Sequence, residues 1–360
     1  MQILVYEAVS AGALPNSLSG SLRAEGLAML SALLEDFGRI PQVKMVTSLL
    51  ARSVSEGKQI SRLRFGLQKH DFMEVHGAEE PHIFRRLASQ ADFTLVVAPE
   101  CAGLLHQRCR WVEEEGGRLL GPTSQAVRLT ADKLELANFL RDRGIPTPPC
   151  AIAETAAPVS FPAVMKPRDG AGSQSTVLVQ NSADIEEAVA SARSEGWTGE
   201  LLLQPYMAGQ SCSVSFLIGK RCFEALLPAS QDFSDDDGSF HYRGGSIPLP
   251  GPLADRATRL STRAVQAVPG LHGYVGVDLI LGSAEDGSQD YVIEINPRLT
   301  TSYVGLRQLA IGNLAEAMIQ AACQEKISPL QWKKGRVRFW PDGSFEQGPF
   351  NAATMEPVVY

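Results

Sequence analysis

No two cysteines of this 360-residue chain are spaced CxxC. The six Cys stand apart at 101, 109, 150, 212, 222 and 323, so neither a zinc knuckle nor a thioredoxin-type site is indicated. In a chain long enough to bury its own core, scattered thiols read as small buried hydrophobes of a reducing compartment. No apolar run reaches the ~20 residues a membrane helix needs. The opening MQILVYEAVSAGAL lacks the basic segment of a signal peptide. Both absences predict a soluble, cytoplasmic protein with no membrane partner. Basic residues are in deficit: 33 Lys+Arg against 40 Asp+Glu leave a formal net charge of −7. That argues against a broad nucleic-acid footprint, which needs an excess of Lys and Arg. A small positive pocket for one nucleotide stays open. The six His show neither HExxH nor HxH spacing, and no GxGxxG follows the first apolar segment.

What the chain does have is alternation of strand-like and helix-like segments. A strand is predicted at Ile3 to Tyr6, then a Gly/Pro/Ser-rich stretch from Ser10 to Gly20. A helix from about Ser21 to Phe37 carries a stripe of Leu22, Leu27, Met29, Leu30, Leu33 and Leu34. A strand at Val43 to Val46, a helix at Glu79 to Ala91 and a buried strand at Phe93 to Ala98 complete a parallel α/β unit over residues 1–122. Glu113 to Glu115 reads as a solvated helix face. The boundary falls at Gly121-Pro122-Thr123-Ser124. A helix over 131–144 follows, with Thr130 as N-cap, Gly144 past its C-terminus and Pro146 as its stop.

Residues 146–158 read as a connector. Strands at Phe161 to Met165 and Thr176 to Val179 and a helix at Ser182 to Glu195 give a small α+β lobe spanning 123–203. A second lobe, 204–328, is mostly strands, at 201–204, 212–218, 222–228, 274–281 and 290–295. Helices are expected there at Asp255 to Val268 and Leu314 to Glu325. Asp235 to Gly238 reads as a mobile acidic loop. The tail, 329–360, holds a strand at Val337 to Trp340 and a turn at Pro341 to Gly343.

Three groups of residues could carry chemistry. Lys133 lies near a helix N-terminus, where the dipole favours an anion by ~0.3–1 kcal/mol. It is either a solvated Lys or a cation held to meet an anionic ligand. Lys166 ends the apolar strand Phe161-Pro-Ala-Val-Met165, an expensive place for an ammonium without a partner. Directly after it, Gly170 and Gly172 allow backbone N–H groups close to an anion, and Ser173, Ser175 and Thr176 add hydroxyls. This is not a P-loop, because the Lys precedes the glycines. The third group is the pair Gly273-Tyr-Val-Gly-Val-Asp278 and Asp290-Tyr-Val-Ile-Glu294-Ile-Asn296-Pro-Arg298, joined by a hairpin loop around Asp286-Gly287. Glu294 and Asn296 are two residues apart and share a face. A hairpin symmetric about residue 286 sets Asp278 opposite Glu294; a bulge that changed the parity would turn Asp278 away. Oxygen ligands without thiol or imidazole suit Mg²⁺ or Mn²⁺. Arg298 points to the same side and can fork onto a phosphate or carboxylate.

In order and spacing, Asp132-Lys133, Val164-Met-Lys166-Pro with its Gly/Ser loop, Leu203-Gln-Pro-Tyr-Met207, and Asp278 with Glu294-Ile-Asn296-Pro-Arg298 resemble the ATP-grasp superfamily, over roughly Ser124 to Glu325. The resemblance implies a fold of class α/β and α+β. Two α+β lobes clamp ATP, preceded by an α/β, Rossmann-like domain. It implies Lys133 and Lys166 on the ATP phosphates, with Gly170, Gly172 and Ser173 closing over them. Gln204, Pro205, Tyr206 and Met207 become the hinge at adenine. Asp278, Glu294 and Asn296 become metal ligands, for two Mg²⁺ or Mn²⁺ ions. Arg298 and Lys166 become the catalytic cations.

The implied reaction activates a carboxylate as an acyl phosphate, which an amine attacks. The partners are then two small molecules, and a homodimer is compatible with the reading. The sequence departs from the family where Ser211 stands at the usual ribose-binding Glu and Gln204 at another Glu; Gln210 or Ser211 is left to meet the ribose. Ala24-Glu-Gly26, Leu30 to Phe37, Val96-Val-Ala-Pro-Glu100 and Tyr242-Arg-Gly-Gly-Ser-Ile-Pro248 further resemble the tyramine–glutamate ligase group of methanofuran biosynthesis. That narrower likeness implies glutamate as the acid and tyramine as the amine, with Glu100 and the Tyr242 to Gly245 loop lining the substrate pocket. Beside Tyr242, His241 is the His to test. Two other readings remain open at this point. One is a ligase for another amino acid or peptide, and the other a nucleotide-binding regulatory protein without turnover.

Overall fold

Ile3 to Glu7 are buried at every position of strand β1 (Gln2–Glu7), so both faces of the sheet it joins must be covered. The structure is a computed structural model. It describes the chain apart from residues 15–19, 56–68, 156–158, 236–237, 324–326, 328 and 350–360. Helix α1 (Gly20–Gly38), strand β2 (Met45–Ala51), the single turn α2 (Arg52–Ser55), strand β3 (His70–Val75), helix α3 (Glu80–Gln90), strand β4 (Phe93–Val97) and helix α4 (Leu104–Glu114) follow. The strands form a parallel sheet in the order β3-β2-β1-β4, the expected α/β arrangement. The second strand begins later than Val43 to Val46. Val43 closes a turn onto Ile40 and packs at 0% exposure, so its apolar character serves the core rather than a strand. Most of the Gly/Pro/Ser-rich stretch, 15–19, lies outside the described residues. Glu113 is not merely solvated: its Oε1 accepts the backbone N–H of Ser124 at 2.9 Å.

The segment expected as one helix from residue 131 is two. Helix α5 (Ser124–Ala131) ends at Asp132, which takes an extended backbone and caps helix α6 (Lys133–Arg141). Asp132 Oδ1 accepts from the backbone N–H groups of Leu134 and Glu135 at 3.1 and 3.0 Å. Thr130 is not the cap. Its hydroxyl bonds back to the Ala126 carbonyl inside α5, at 2.9 Å. Both residue types compete for caps, and here the carboxylate wins because the hydroxyl is satisfied within its own helix. Lys133 is therefore the first residue of α6, not near its third. Gly144 takes φ 65 beyond α6, as expected of a helix end.

Strands β5 (Ala151–Ile152), β6 (Ala163–Pro167) and β7 (Val177–Val179), helix α7 (Ile185–Ser194) and strand β8 (Leu201–Pro205) build the smaller lobe. Its antiparallel sheet runs β5-β8-β6-β7 around Met165, Trp197, Leu201 and Leu203. Residues 156–158 of the expected connector lie outside the described part. The larger lobe contains β9 (Gln210–Gly219), β10 (Cys222–Ala225), β11 (Ala229–Asp235), β12 (Phe240–Ile247), α8 (Gly251–Ala267), β13 (Gly273–Leu281) and β14 (Asp290–Asn296). Helix α9 (Ser302–Leu309), strand β15 (Ala310–Ile311), helix α10 (Leu314–Ala322) and strands β16 (Gln331–Trp332), β17 (Arg336–Phe339) and β18 (Phe345–Gly348) complete it. Its antiparallel sheet runs β14-β13-β9-β11-β12-β17-β18, with β10 paired to β9.

Three elements here depart from expectation. The region read as a loop around Tyr242 is the β11–β12 hairpin. Its strands carry Ser, Gln and Asp because one face lines a polar cleft, so the apolar alternation that marks a strand is missing. The acidic run at its tip falls partly on 236–237, outside the described residues. Helix α9 was not expected, and the strand at 222–228 stops at Ala225. The C-terminal limit expected for α10 falls in 324–326, outside the described residues.

The large sheet is covered on both faces. Ala257, Leu260 and Ala264 of α8 pack on Val214, Val275 and Val277. On the other face Tyr303, Leu306 and Met318 share a core with Leu30, Leu33 and Phe37 of α1. Asp36 of α1 seals that contact: its carboxylate accepts from Tyr303 Oη at 2.7 Å and from Arg307 at 2.9 and 2.6 Å. The first sheet is thereby held against the second, and α1 reaches the cleft between the lobes. Among the described residues no helix is long and apolar enough to cross a membrane.

Candidate active site

Two lysines enter the cleft from different elements. Arg168, just past β6, grips the α6 cap: its Nε and Nη2 donate to Asp132 Oδ2 at 2.9 and 2.6 Å, while its carbonyl accepts the Lys133 N–H. This fixes the first turn of α6 to the end of β6. Lys133 Nζ then donates to the Gly170 carbonyl at 2.6 Å and lies 3.5 Å from Glu294 Oε2. Lys166 sits on β6. Val164 pairs directly with Gln204 of β8, so Lys166 lies diagonal to Gln204 on the same face. Its Nζ donates to Gln204 Oε1 at 2.8 Å. Burial pulls the Lys166 pKa below the ordinary lysine value, partly offset by Cys150 and Glu294.

The loop between β6 and β7 contains three left-handed residues: Gly172 at φ 67, Ser173 at φ 58 and Ser175 at φ 46. For the two serines this is uphill by about 1–3 kcal/mol each, a type of strain found where a backbone holds a ligand. The φ of Gly172 favours glycine, and a Cβ there would also press on Leu22 Cδ2 at 2.6 Å, so Leu22 would have to shift.

The carboxylates come from β13 and β14. The hairpin is not symmetric about residue 286 along its length. Leu279 pairs with Val292, whereas Asp278 pairs with Glu294, so Ile293 is a bulge. That bulge sets Asp278 opposite Glu294. Asn296 Nδ2 donates to Asp278 Oδ2 at 2.9 Å, and Gln231 Nε2 donates to Asp278 Oδ1 at 3.0 Å. Burial, and then the Glu294 charge, push Asp278 well above the usual carboxylate range. Burial would raise Glu294 too, but Lys133 and Lys166 outweigh it and hold Glu294 below its ordinary value. Two oxygen-rich acids, buried together and in conflict, are a donor set that a hard divalent cation would relieve.

Lys133, Lys166, Gly170, Gly172, Ser173, Gln204, Pro205, Tyr206, Met207, Ser211, Asp278 and Glu294 all line one cleft, which encloses about 1100 Å³ including its open mouth. Asn296 and Arg298 lie in an adjoining cavity that shares Asp278 and Glu294 with the first. Some expectations need correction. The Gln204 side chain, for which no role of its own was expected, holds Lys166 and donates to Cys150 Sγ at 3.2 Å. Ser211 Oγ donates to Gln231 Oε1 at 3.1 Å, and Ser175 Oγ donates to Glu195 at 2.6 Å, away from the cleft. Glu100 does not line the cavity. It forms a two-point ion pair with Arg298, Nε to Oε1 at 2.9 Å and Nη2 to Oε2 at 3.0 Å. Tyr242 does line the adjoining cavity, from a strand rather than a loop.

Sequence reasoning missed Gln231, Phe233, Thr300 and Thr301, and read Glu25 as part of a resemblance without giving it a role. All five line the adjoining cavity. Gln231 and Phe233 were hidden in a strand without apolar alternation, and no motif marks the others.

Comparisons with known proteins bear on the family and the fold. Residues 130–302 match the ATP-grasp domain family, and residues 61–127 match the pre ATP-grasp 3 domain. The chain is 27% identical over 305 residues to a tyramine–L-glutamate ligase of Methanocaldococcus fervens, covering 84% of this chain and 89% of that protein. It is 29% identical over 236 residues to a tyramine–L-glutamate ligase of Methanocaldococcus jannaschii, covering 66% and 64%. Among solved structures, an Archaeoglobus fulgidus ATP-grasp superfamily protein superposes with a TM-score of 0.66 at 22% identity, covering 94% of this chain and 92% of that one. An Aspergillus clavatus carboxyaminoimidazole ribonucleotide synthase complexed with ATP gives 0.66 at 19% identity, covering 94% and 81%. At such identities the structural likeness establishes the fold.

Proposed function

The chain is an ATP-grasp protein whose ATP-grasp domain follows a pre-ATP-grasp domain, and from that premise we propose that it is an ATP-dependent carboxylate–amine ligase acting through the cleft described above. The observation that carries the reading is the meeting of Lys133 and Lys166 with the Asp278–Glu294 pair in one cleft.

A carboxylate is a poor electrophile at neutral pH. Its oxygen attacks the γ-phosphorus of ATP, ADP leaves, and the acyl phosphate then carries a good leaving group. Negative charge concentrates during this transfer, so catalysis is mainly positioning and electrostatic stabilisation. Lys133 and Lys166 would hold the phosphates from two sides. The strained loop at Gly170 to Ser173 would close over them and exclude water, which otherwise destroys the acyl phosphate. Pro205 to Met207 would meet the adenine, and Ser211 would lie towards the ribose. Arg298, oriented by Glu100, would steady the transferring phosphoryl and the acyl phosphate. Asp278, Glu294 and Asn296 would bind Mg²⁺ or Mn²⁺, two ions in the full complex. The bound metal supplies charge neutralisation at the terminal phosphates.

The finer reading is L-glutamate as the acid and tyramine as the amine. It is supported by the relatives named above and by the aromatic pair Phe233–Tyr242 beside the cavity, with ring centroids 5.7 Å apart. The test follows oxygen. With ¹⁸O in the substrate carboxylate, one labelled oxygen must pass into the released phosphate. Unlabelled phosphate alongside amide product would rule out an acyl phosphate.

A further inference from the structure

Glu25 projects from α1, in the first domain, into the cavity beside the carboxylate pair. It also lines a smaller cavity with Glu7, Gly26, Gly172 and Arg298, so it stands where the two meet. Thr301 Oγ1 donates to its Oε2 at 3.0 Å. Its Oε1 lies on the side of the glycine loop, 3.9 Å from where a Gly172 Cβ would be. Among the described residues no ion pair engages this carboxylate. Arg298, whose charge acts on Glu25, gives its Nε and Nη2 to Glu100. Glu7 is turned inward, accepting the backbone N–H groups of Val9 and Ser10 at 3.0 and 2.7 Å. Glu25 thus accepts one hydroxyl hydrogen bond and feels the Arg298 charge, while no described residue bonds its Oε1, a costly state for a buried carboxylate unless a ligand completes it. The same cavity is lined by the hydroxyls of Thr300, Thr301 and Ser302 and the rings of Phe233 and Tyr242, with Asp278, Glu294 and Arg298 as its other charged groups.

An ammonium ion attached to an apolar or aromatic body matches both features. We propose that Glu25 receives the ammonium group of the second substrate and accepts its proton before attack. This deepens the ligase reading and rests on it. The steps balance as follows. R–NH₃⁺ gives one proton to Glu25 Oε1. The neutral nitrogen then forms the C–N bond as the C–O bond to phosphate breaks, and its second proton leaves with the phosphate. Burial raises the Glu25 pKa above the ordinary glutamate value, the direction that strengthens it as a proton acceptor, against the opposing pull of Thr301 and Arg298.

The experiment compares two nucleophiles on full-length protein, with Mg·ATP and L-glutamate. Tyramine arrives as a cation. Hydroxylamine is uncharged at neutral pH and needs no base. For Glu25→Gln, the account expects amide formation from tyramine to fall about 100-fold further than hydroxamate formation, with the tyramine KM raised. Equal losses with the two nucleophiles, or an unimpaired tyramine reaction, overturn the assignment. Should Glu25→Gln fail to fold, Glu25→Asp withdraws the carboxylate by one methylene and must give the same split; parallel losses there overturn it too. Wild-type protein that makes no hydroxamate and no amide counts against the ligase reading itself, and this assignment falls with it.

Discussion

Asp278 and Glu294 face each other across β13 and β14, one step beyond the bulge at Ile293, and Lys133 approaches the pair to 3.5 Å from Glu294. Removing the bulge would shift the register by one residue and turn one of the acids to the opposite face. The pair is accordingly a built feature of the hairpin.

If this pair holds a divalent cation, as proposed, the cation should stabilise the folded protein through it. At a Mg·ADP concentration 100 times its Kd, ligand binding adds about 2.7 kcal/mol to wild-type stability. Asp278→Asn should lose most of that gain, because the pair then presents one anionic carboxylate instead of two. Thermal unfolding with and without Mg·ADP measures it. Equal shifts in the two proteins would remove Asp278 from the metal site.

Lys166→Met should weaken Mg·ATP binding by about tenfold or more. A charge-assisted hydrogen bond contributes about 1.5–3 kcal/mol, and the variant keeps most of the aliphatic stem while deleting the ammonium. Calorimetric titration decides the point. An unchanged Kd would mean that Lys166 is a structural partner of Gln204 and nothing more.

The cap at Asp132 makes stability depend on pH. Burial alone would raise its pKa, but Arg168 and the N–H groups of Leu134 and Glu135 pull it below the ordinary aspartate value. A depressed folded pKa contributes stability above the unfolded value, about 3.9, and loses it as pH falls through the folded one. Asp132→Asn keeps a side-chain cap and loses the Arg168 ion pair. It should be about 1–2 kcal/mol less stable than wild type at pH 7, and the gap should narrow as the pH is lowered to ~3. Urea unfolding at the two pH values checks the sign. A constant gap contradicts the electrostatic account.

Glu100→Gln leaves Arg298 without its counter-charge in a largely buried place, and should destabilise the fold by about 2–3 kcal/mol. Adding Arg298→Met should restore part of that stability while abolishing turnover. The double-mutant cycle reports the coupling; strict additivity would mean the pair carries no mutual energy.

Much of the site was legible because its chemistry stands out against apolar strands. A Lys ending Phe161-Pro-Ala-Val-Met165, and acids planted between Val292, Ile293 and Ile295, have few structural reasons to be there. The order of elements was legible for the same reason: β1, β4, β13 and β14 are strongly apolar. What escaped was encoded in the third dimension. The β11–β12 hairpin faces a polar cleft, so Gln231 and Phe233 carried no strand signal. Asp132, not Thr130, caps α6: Thr130 bonds inside α5, and Arg168, 36 residues away, holds the Asp132 carboxylate. Glu25 gains meaning when α1 docks on α9 through Asp36, Tyr303 and Arg307. No local pattern in the sequence expresses that docking.

The most direct test of the central claim is ADP release by the purified protein with Mg·ATP, measured across amino acids, each with and without tyramine, with the product weighed by mass spectrometry. The account predicts sustained ADP release when L-glutamate and tyramine are both present, and a product of their combined mass less one water. Tight ATP binding with no acid- and amine-dependent turnover across the array would contradict it.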